Sequence, residues 1–181
     1  MTEKLRFSKA EFVSHTQYPG EDSPTGVLVV RAPCSPKIAE SLRCRDAVYE
    51  PKGAIRSAIT GTVSLALTIA GADLDIGQSG SLTCTEIGHF KILRAESGTG
   101  DERELSLFVQ FRAHYSGKDS LDYASNLLVT FNSGDFGVLI RAKQGAFDFD
   151  GTGEDAESAE SGETYSEFVK HEAATAGSLE Q

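Results

Sequence analysis

Residues 104–115 read ELSLFVQFRAHY, and their alternation decides the class of the chain. Leu105, Leu107, Val109, Phe111, Ala113 and Tyr115 fall on one side of an extended backbone. Ser106, Phe108, Gln110, Arg112 and His114 fall on the other. Side chains of a strand point to opposite faces with period two, so this pattern describes an antiparallel strand with one face buried and one open.

Working outward, the same period recurs. Val63, Leu65, Leu67 and Ile69 alternate with Thr62, Ser64, Ala66 and Thr68, which predicts a strand over 62–70. Further strands are predicted over 5–16, 26–32, 81–94 and 136–143. The breaks between them carry turn chemistry: YPGEDSP at 18–24, GQSG at 77–80, SGTGD at 97–101 and NSG at 132–134. Ser35-Pro36 supplies an N-cap and a first-turn proline for a helix over 36–44, with Ile38 and Leu42 one turn apart. A second helix over 120–131 is capped by Asp119 or Ser120 and carries Leu121, Ala124, Leu127 and Leu128 on one stripe. The fold class expected is α+β: a predominantly antiparallel β core of about seven strands with two short helices. The order strand, strand, helix, strand occurs twice at an offset of about 80 residues, which suggests a duplicated β-β-α-β unit.

Charge divides the chain. Of the net charge of −10, residues 1–145 contribute 16 Lys/Arg against 17 Asp/Glu, whereas residues 146–181 hold 1 Lys and 10 Asp/Glu. The reading is a β-rich globular core, 1–145, followed by an acidic, flexible C-terminal tail, 146–181, too polar and self-repelling to pack. Within the tail, Tyr165, Phe168 and Val169 stand at helical i, i+3, i+4 spacing, as a short docking helix or a partner-binding peptide would have them. The three cysteines, Cys34, Cys44 and Cys84, form no CxxC pair, cannot all bond to one another, and suit a reducing compartment. The N-terminus shows no signal-peptide pattern and no apolar run has membrane-spanning length, so a cytoplasmic location without membrane contact is expected.

Several strings touch on chemistry. Residues 146–152, AFDFDGT, resemble the DxDGT motif of haloacid-dehalogenase-like phosphatases. That resemblance would make Asp148 a nucleophile and Asp150 a general acid/base. The chemistry also needs Mg²⁺, a phosphate-holding lysine and acidic residues on later strands. The 29 residues after Thr152 hold one lysine and no strand-like run. The same string starts an EF-hand-like loop, but Ala159 stands where the bidentate carboxylate belongs. Gly117-Lys118-Asp119-Ser120 lacks the upstream glycine of a P-loop. The histidines His15, His89, His114 and His171 are scattered singly, and an enzyme would have to assemble them in space with a carboxylate or Cys34. No cofactor motif and no metal-ligand spacing is present, and the chain is expected to be non-enzymatic.

Two binding functions remain. One is a protein–protein module, such as a virion component or an inhibitor of a host or defence protein, with the acidic tail recruiting or regulating partners through itself or a sheet edge. The alternative is an accessory protein of DNA metabolism that holds single-stranded nucleic acid on its sheet. There Phe108 would stack a base and Lys91, Arg94, Arg112, Arg141 and Lys143 would neutralise phosphate, provided their strands adjoin. The layout of a β core followed by an acidic tail resembles that of bacterial and phage single-strand DNA-binding proteins. A homo-oligomer is compatible with either reading.

Overall fold

A computed structural model describes residues 4–18, 20, 23–57, 59, 61–98, 104–131 and 135–143. Among these, seven strands and three helices form: β1 (Lys4–Tyr18), β2 (Thr25–Pro33), α1 (Pro36–Ser41), α2 (Arg45–Val48), β3 (Thr62–Ser64), β4 (Ile69–Ile76), β5 (Ser81–Ser97), β6 (Glu104–Ser116), α3 (Lys118–Thr130) and β7 (Phe136–Ala142). Every strand pairing is antiparallel, as the period-two pattern predicts. The order is β3-β5-β4-β7-β1-β2-β6, and β6 pairs in turn with β5. Six strands therefore close into a barrel, with β3 as an appendage on the far half of β5. Closure removes the edges that an open sheet would leave.

The inner face of each strand supplies the core. Phe7, Phe90, Phe111 and Tyr115 are fully buried, and Phe111 lies 5.2 Å from Phe90 and 5.5 Å from Phe7 between ring centroids. Leu28, Val30, Leu74, Ile76, Ile87, Ile92 and Ile140 fill the space around them, so the barrel encloses a packed core. Alternation is not uninterrupted along the strands. In β1 the inward set passes from Leu5 and Phe7 to Ala10 across Lys9, whose φ is 54°. In β5 it passes from Ile87 to Phe90 across His89, φ 53°. Each coincides with a register shift against a neighbouring strand, which identifies β-bulges.

The helix at Ser35-Pro36 forms as expected: the Ser35 hydroxyl accepts from Ile38 N at 3.3 Å and Pro36 opens α1. It is shorter than expected, and the short α2 follows it. The second expected helix begins earlier than the sequence suggests. Gly117, φ 96°, stands at its N-cap with no side-chain cap, where Asp119 or Ser120 was expected. The strand expected over 62–70 is two strands. Leu65 N still donates to Phe90 O, but the chain then turns into β4, where Ala72, Leu74 and Ile76 point inward instead of the odd-numbered set. The change of phase falls at Gly71, φ 61°, a conformation glycine adopts without strain.

Candidate binding site

The outer wall of β2, β6 and β5 carries part of the set that the sequence singled out. Register places Lys91 opposite Gln110 and Gln110 opposite Arg31, in one row across three strands. Arg31 bonds Glu11 at 2.7 Å and lies over the Phe108 ring, 5.5 Å from its centroid. Phe108 is thus already stacked by a cation of its own chain. One step along, Arg112 is exposed between Gly88 and Val29. Beyond it His114 lies between Glu86 and Val27, its ring 6.3 Å from that of His89. Its Nε2 is buried without a hydrogen-bond partner, and burial lowers its pKa against the opposing pull of Glu86.

The other cations stand elsewhere. Arg94 keeps only 18% of its side chain exposed. Its guanidinium donates to Ser57 O at 3.2 Å, to Ile59 O, and to the Glu96 carboxylate at 2.7 Å. That geometry fastens the 57–59 segment to β5. Arg141 makes a bidentate bond to Asp75, both contacts 2.8 Å, and Lys143 meets Asp73 at 3.1 Å. Arg141 lies in β7 and Lys143 directly follows it, and β7 lies three strands from β6 around a ring of six and so on the opposite wall. Of the strands expected to adjoin β6, β5 does and β7 does not. Lys91, Phe108 and Arg112 share a wall, Arg94, opposite the buried Leu107, leaves the other face of β5 and is occupied by backbone carbonyls, and Arg141 and Lys143 lie on the opposite side of the ring, paired with carboxylates. The six do not converge on one groove.

The sequence reading missed a different feature. Among the described residues β3 pairs with β5 alone, which leaves its second edge without a strand. Beside it runs a groove of about 360 Å³ between β3 and residues 42–47. Leu42, Ala47, Val63, Leu65 and Leu67 line it, with Arg43 at its rim. An edge offers backbone donors and acceptors, and an apolar groove beside it offers seats for alternate side chains of an extended peptide. Two signals were available in sequence: the shortness of the Val63–Leu65 alternation before its phase change, and the position of Leu42 just past a capped helix. Neither says that the two meet.

The buried thiols offer little nucleophilicity. Burial pushes Cys34 up to about 12, with Cys44 adding to the effect, and pushes Cys44 to about 11 and Cys84 to about 12. A thiol held in this way stays protonated near neutral pH. Of the histidines, His15 bonds the Tyr115 hydroxyl and does not approach the His89–His114 pair through any described contact. Among the described residues no three His, Cys, Asp or Glu side chains form a set able to hold a metal ion. No described helix is long and apolar enough to cross a membrane. Tyr165, Phe168, Val169, the 146–152 string and the proposed start of the tail all lie outside the described residues. Comparison with protein-family models, with curated proteins and with solved structures finds no match to this chain.

Proposed function

We propose that this chain is a non-enzymatic protein-binding module that receives an extended segment of a partner along β3. The observation that carries this reading is the unpaired edge of β3 beside the apolar groove lined by Leu42, Ala47, Val63, Leu65 and Leu67. A partner strand added there would gain main-chain hydrogen bonds from Thr62–Ser64 and bury alternate side chains against Leu42 and Leu65. The packed aromatic interior supports binding on the outside, and the raised thiol pKa values argue against thiolate chemistry. The acidic segment 146–181 suits recruitment of basic partners by long-range attraction. A virion component or an inhibitor of a host or defence protein fits such a module.

The test uses the full chain as bait for a stoichiometric protein partner that survives nuclease treatment. Binding should weaken at least about tenfold in Leu65→Asp, which places a charge in the groove. A partner that binds Leu65→Asp as tightly as the unaltered chain would overturn the site, provided the variant keeps the native far-ultraviolet spectrum.

A second reading rests on Lys91 and Arg112, cations of one barrel wall that make no ion pair among the described residues. Single-stranded nucleic acid would meet them beside the Arg31–Phe108 stack. Oligonucleotide anisotropy should then fall steeply with salt, and Lys91→Ala with Arg112→Ala should flatten that dependence. No binding at low salt after removal of residues 146–181 would end this alternative.

The two halves are also read as copies of one β-β-α-β unit. Exchanging β1 with β5, β2 with β6 and β4 with β7 leaves the barrel order unchanged. The bulge residues Lys9 and His89 stand at the offset of about 80 residues expected from sequence, with φ values of 54° and 53°.

A further inference from the structure

The strands β3 and β4 lie end to end along one edge of β5. Residues 62–64 pair with 91–93 and residues 69–75 with 81–87, while β6 takes the other edge of β5. The far side of β4 is covered by β7, from Ala72 opposite Ala142 to Ile76 opposite Val138. This pairing continues one step further, because Lys143 N donates to Gly71 O at 3.0 Å. The direction of β7 therefore carries the chain past Lys143 toward the edge of β3 that no described strand occupies. That edge has identifiable needs. Leu65 N donates to Phe90 O, toward β5. Donors alternate in direction along a strand, so Ser64 and Ala66 turn theirs to the open side. Val63 and Leu65 share the inward face of the buried Leu67 but stay half-buried beside the groove of about 360 Å³.

The sequence that follows β7 has a matching pattern: residues 144–150 read QGAFDFD. The inward residues of β7 are even-numbered, Phe136, Val138, Ile140 and Ala142, as are Ala72, Leu74 and Ile76 of β4. Across Gly71 the inward set becomes odd-numbered, with Leu67, Leu65 and Val63. Past β7 the apolar residues change phase in the same sense, to Phe147 and Phe149, across Gly145. Opposite residues of an antiparallel pair share a face, so two segments that stay paired must change phase together. Continuing the β4–β7 register sets Phe147 opposite Leu67, Phe149 opposite Leu65 and Asp150 opposite Ser64. Ser64 is itself opposite Lys91, which makes no ion pair among the described residues. On the outer face, two strand spacings, about 10 Å, would separate the Asp150 and Lys91 backbones, a gap their two side chains can span.

We propose that residues 146–150 of this same chain dock along the open edge of β3, with Phe147 and Phe149 in the groove and Asp150 facing Lys91. Backbone carbonyls of the segment accept from Ser64 and Ala66, and the two rings complete the burial of Val63 and Leu65. Tethered only a few residues beyond β7, the segment reaches this edge at a high effective concentration. It is the resident occupant that a partner's strand must displace, which makes the edge self-protected in the isolated chain. The inference goes beyond the function proposed above and does not need it: its failure leaves the edge open to a partner.

Amide hydrogen exchange of the full chain tests this. Ser64 and Ala66 should be protected, and Phe147→Ser combined with Phe149→Ser should speed exchange at both at least about tenfold. Unchanged rates at Val109 and Phe111 of β6 would show that the barrel stays folded in that variant. The register has its own test. Ala66→Cys with Asp148→Cys places thiols at positions opposite one another on the outer face. With oxidised glutathione a disulfide should form within one chain of 19.4 kDa, at least about tenfold faster than for Ala66→Cys with Ser158→Cys. If the double serine variant loses the barrel, the crosslink decides alone. Free exchange at Ser64 and Ala66 in the full chain overturns the inference, as does protection that survives both serine substitutions. So does a disulfide that joins two chains or forms no faster than the control.

Discussion

The Tyr115 side chain lies directly over the backbone of Gly26, so close that a Cβ at that position would overlap its hydroxyl and stand 2.8 Å from Cε2. Gly26 is paired with Tyr115 across β2 and β6, and the missing side chain is what lets the ring enter the barrel end and bond His15. Gly26→Ala is therefore expected to destabilise by about 2–3 kcal/mol, as overpacking of a close-packed core does. Tyr115→Phe keeps the ring and loses the hydroxyl bond, for about 1 kcal/mol. Urea unfolding of both variants checks the order: a Gly26→Ala chain as stable as the parent would show that the ring can move aside.

Burial holds His15 and His114 below the ordinary value of 6.5. The unfolded chain binds protons at these sites before the folded chain does. Stability from the neutral rings is fully present above about 6.5 and is lost as pH falls from there toward the lowered native values. Unfolding free energy measured between neutral and mildly acidic pH should decline. His114→Gln should flatten the decline, because the Nε2 of His114 has no bond to lose. An unchanged slope would rule out His114 as a contributor.

At the alkaline end the direction reverses. Burial pushes Tyr115 from 10 up to about 12. Its contribution is present below about 10 and disappears as pH rises toward the native value. Tyr115→Phe should remove that part of the alkaline loss, read from thermal midpoints across the range.

Arg94 is expected to act as a structural fastener. Removing it by Arg94→Ala leaves the Ser57 and Ile59 carbonyls without their donor and should cost about 2 kcal/mol. Arg94→Lys should recover only part, because an ammonium cannot reproduce the forked geometry. If Arg94→Ala unfolds at the parent's midpoint but loses nucleic-acid binding, the fastening role is wrong and a contact role replaces it.

The three thiols should resist alkylation in the folded chain at mildly alkaline pH and react together on unfolding. Burial keeps Cys34, Cys44 and Cys84 protonated. Fast native labelling of any one would indicate local opening around it.

Much of the fold is legible in the sequence. The alternation of Leu107, Val109, Phe111, Ala113 and Tyr115 is the buried face of β6, and β2 and β7 read equally well. The strand β4 was largely hidden, because its inward set changes phase at Gly71 and a period-two template loses count at a bulge. The start of α3 is not legible in the sequence, because Gly117 carries no capping side chain and Asp119 and Ser120, which could cap a helix, follow it. The site was less legible than the fold. Arg141 is 66 residues from the Asp75 that neutralises it, and no local pattern joins them. Leu42 and Leu65 line one groove without any shared periodicity.

Sequence alone determined which residues face inward where a strand runs without a bulge, as in β6, since the side-chain period is a property of the strand. It also located the concentration of negative charge beyond residue 145. Only the tertiary structure decided which strands are neighbours. Closure of six strands sets β7 on the wall opposite β6, and that separates Arg141 and Lys143 from Lys91 and Arg112. The physical reason is that a side chain's electrostatic partners are those a few ångströms across the sheet. Ring closure and bulges fix those neighbours, and neither is written in the spacing of residues along the chain.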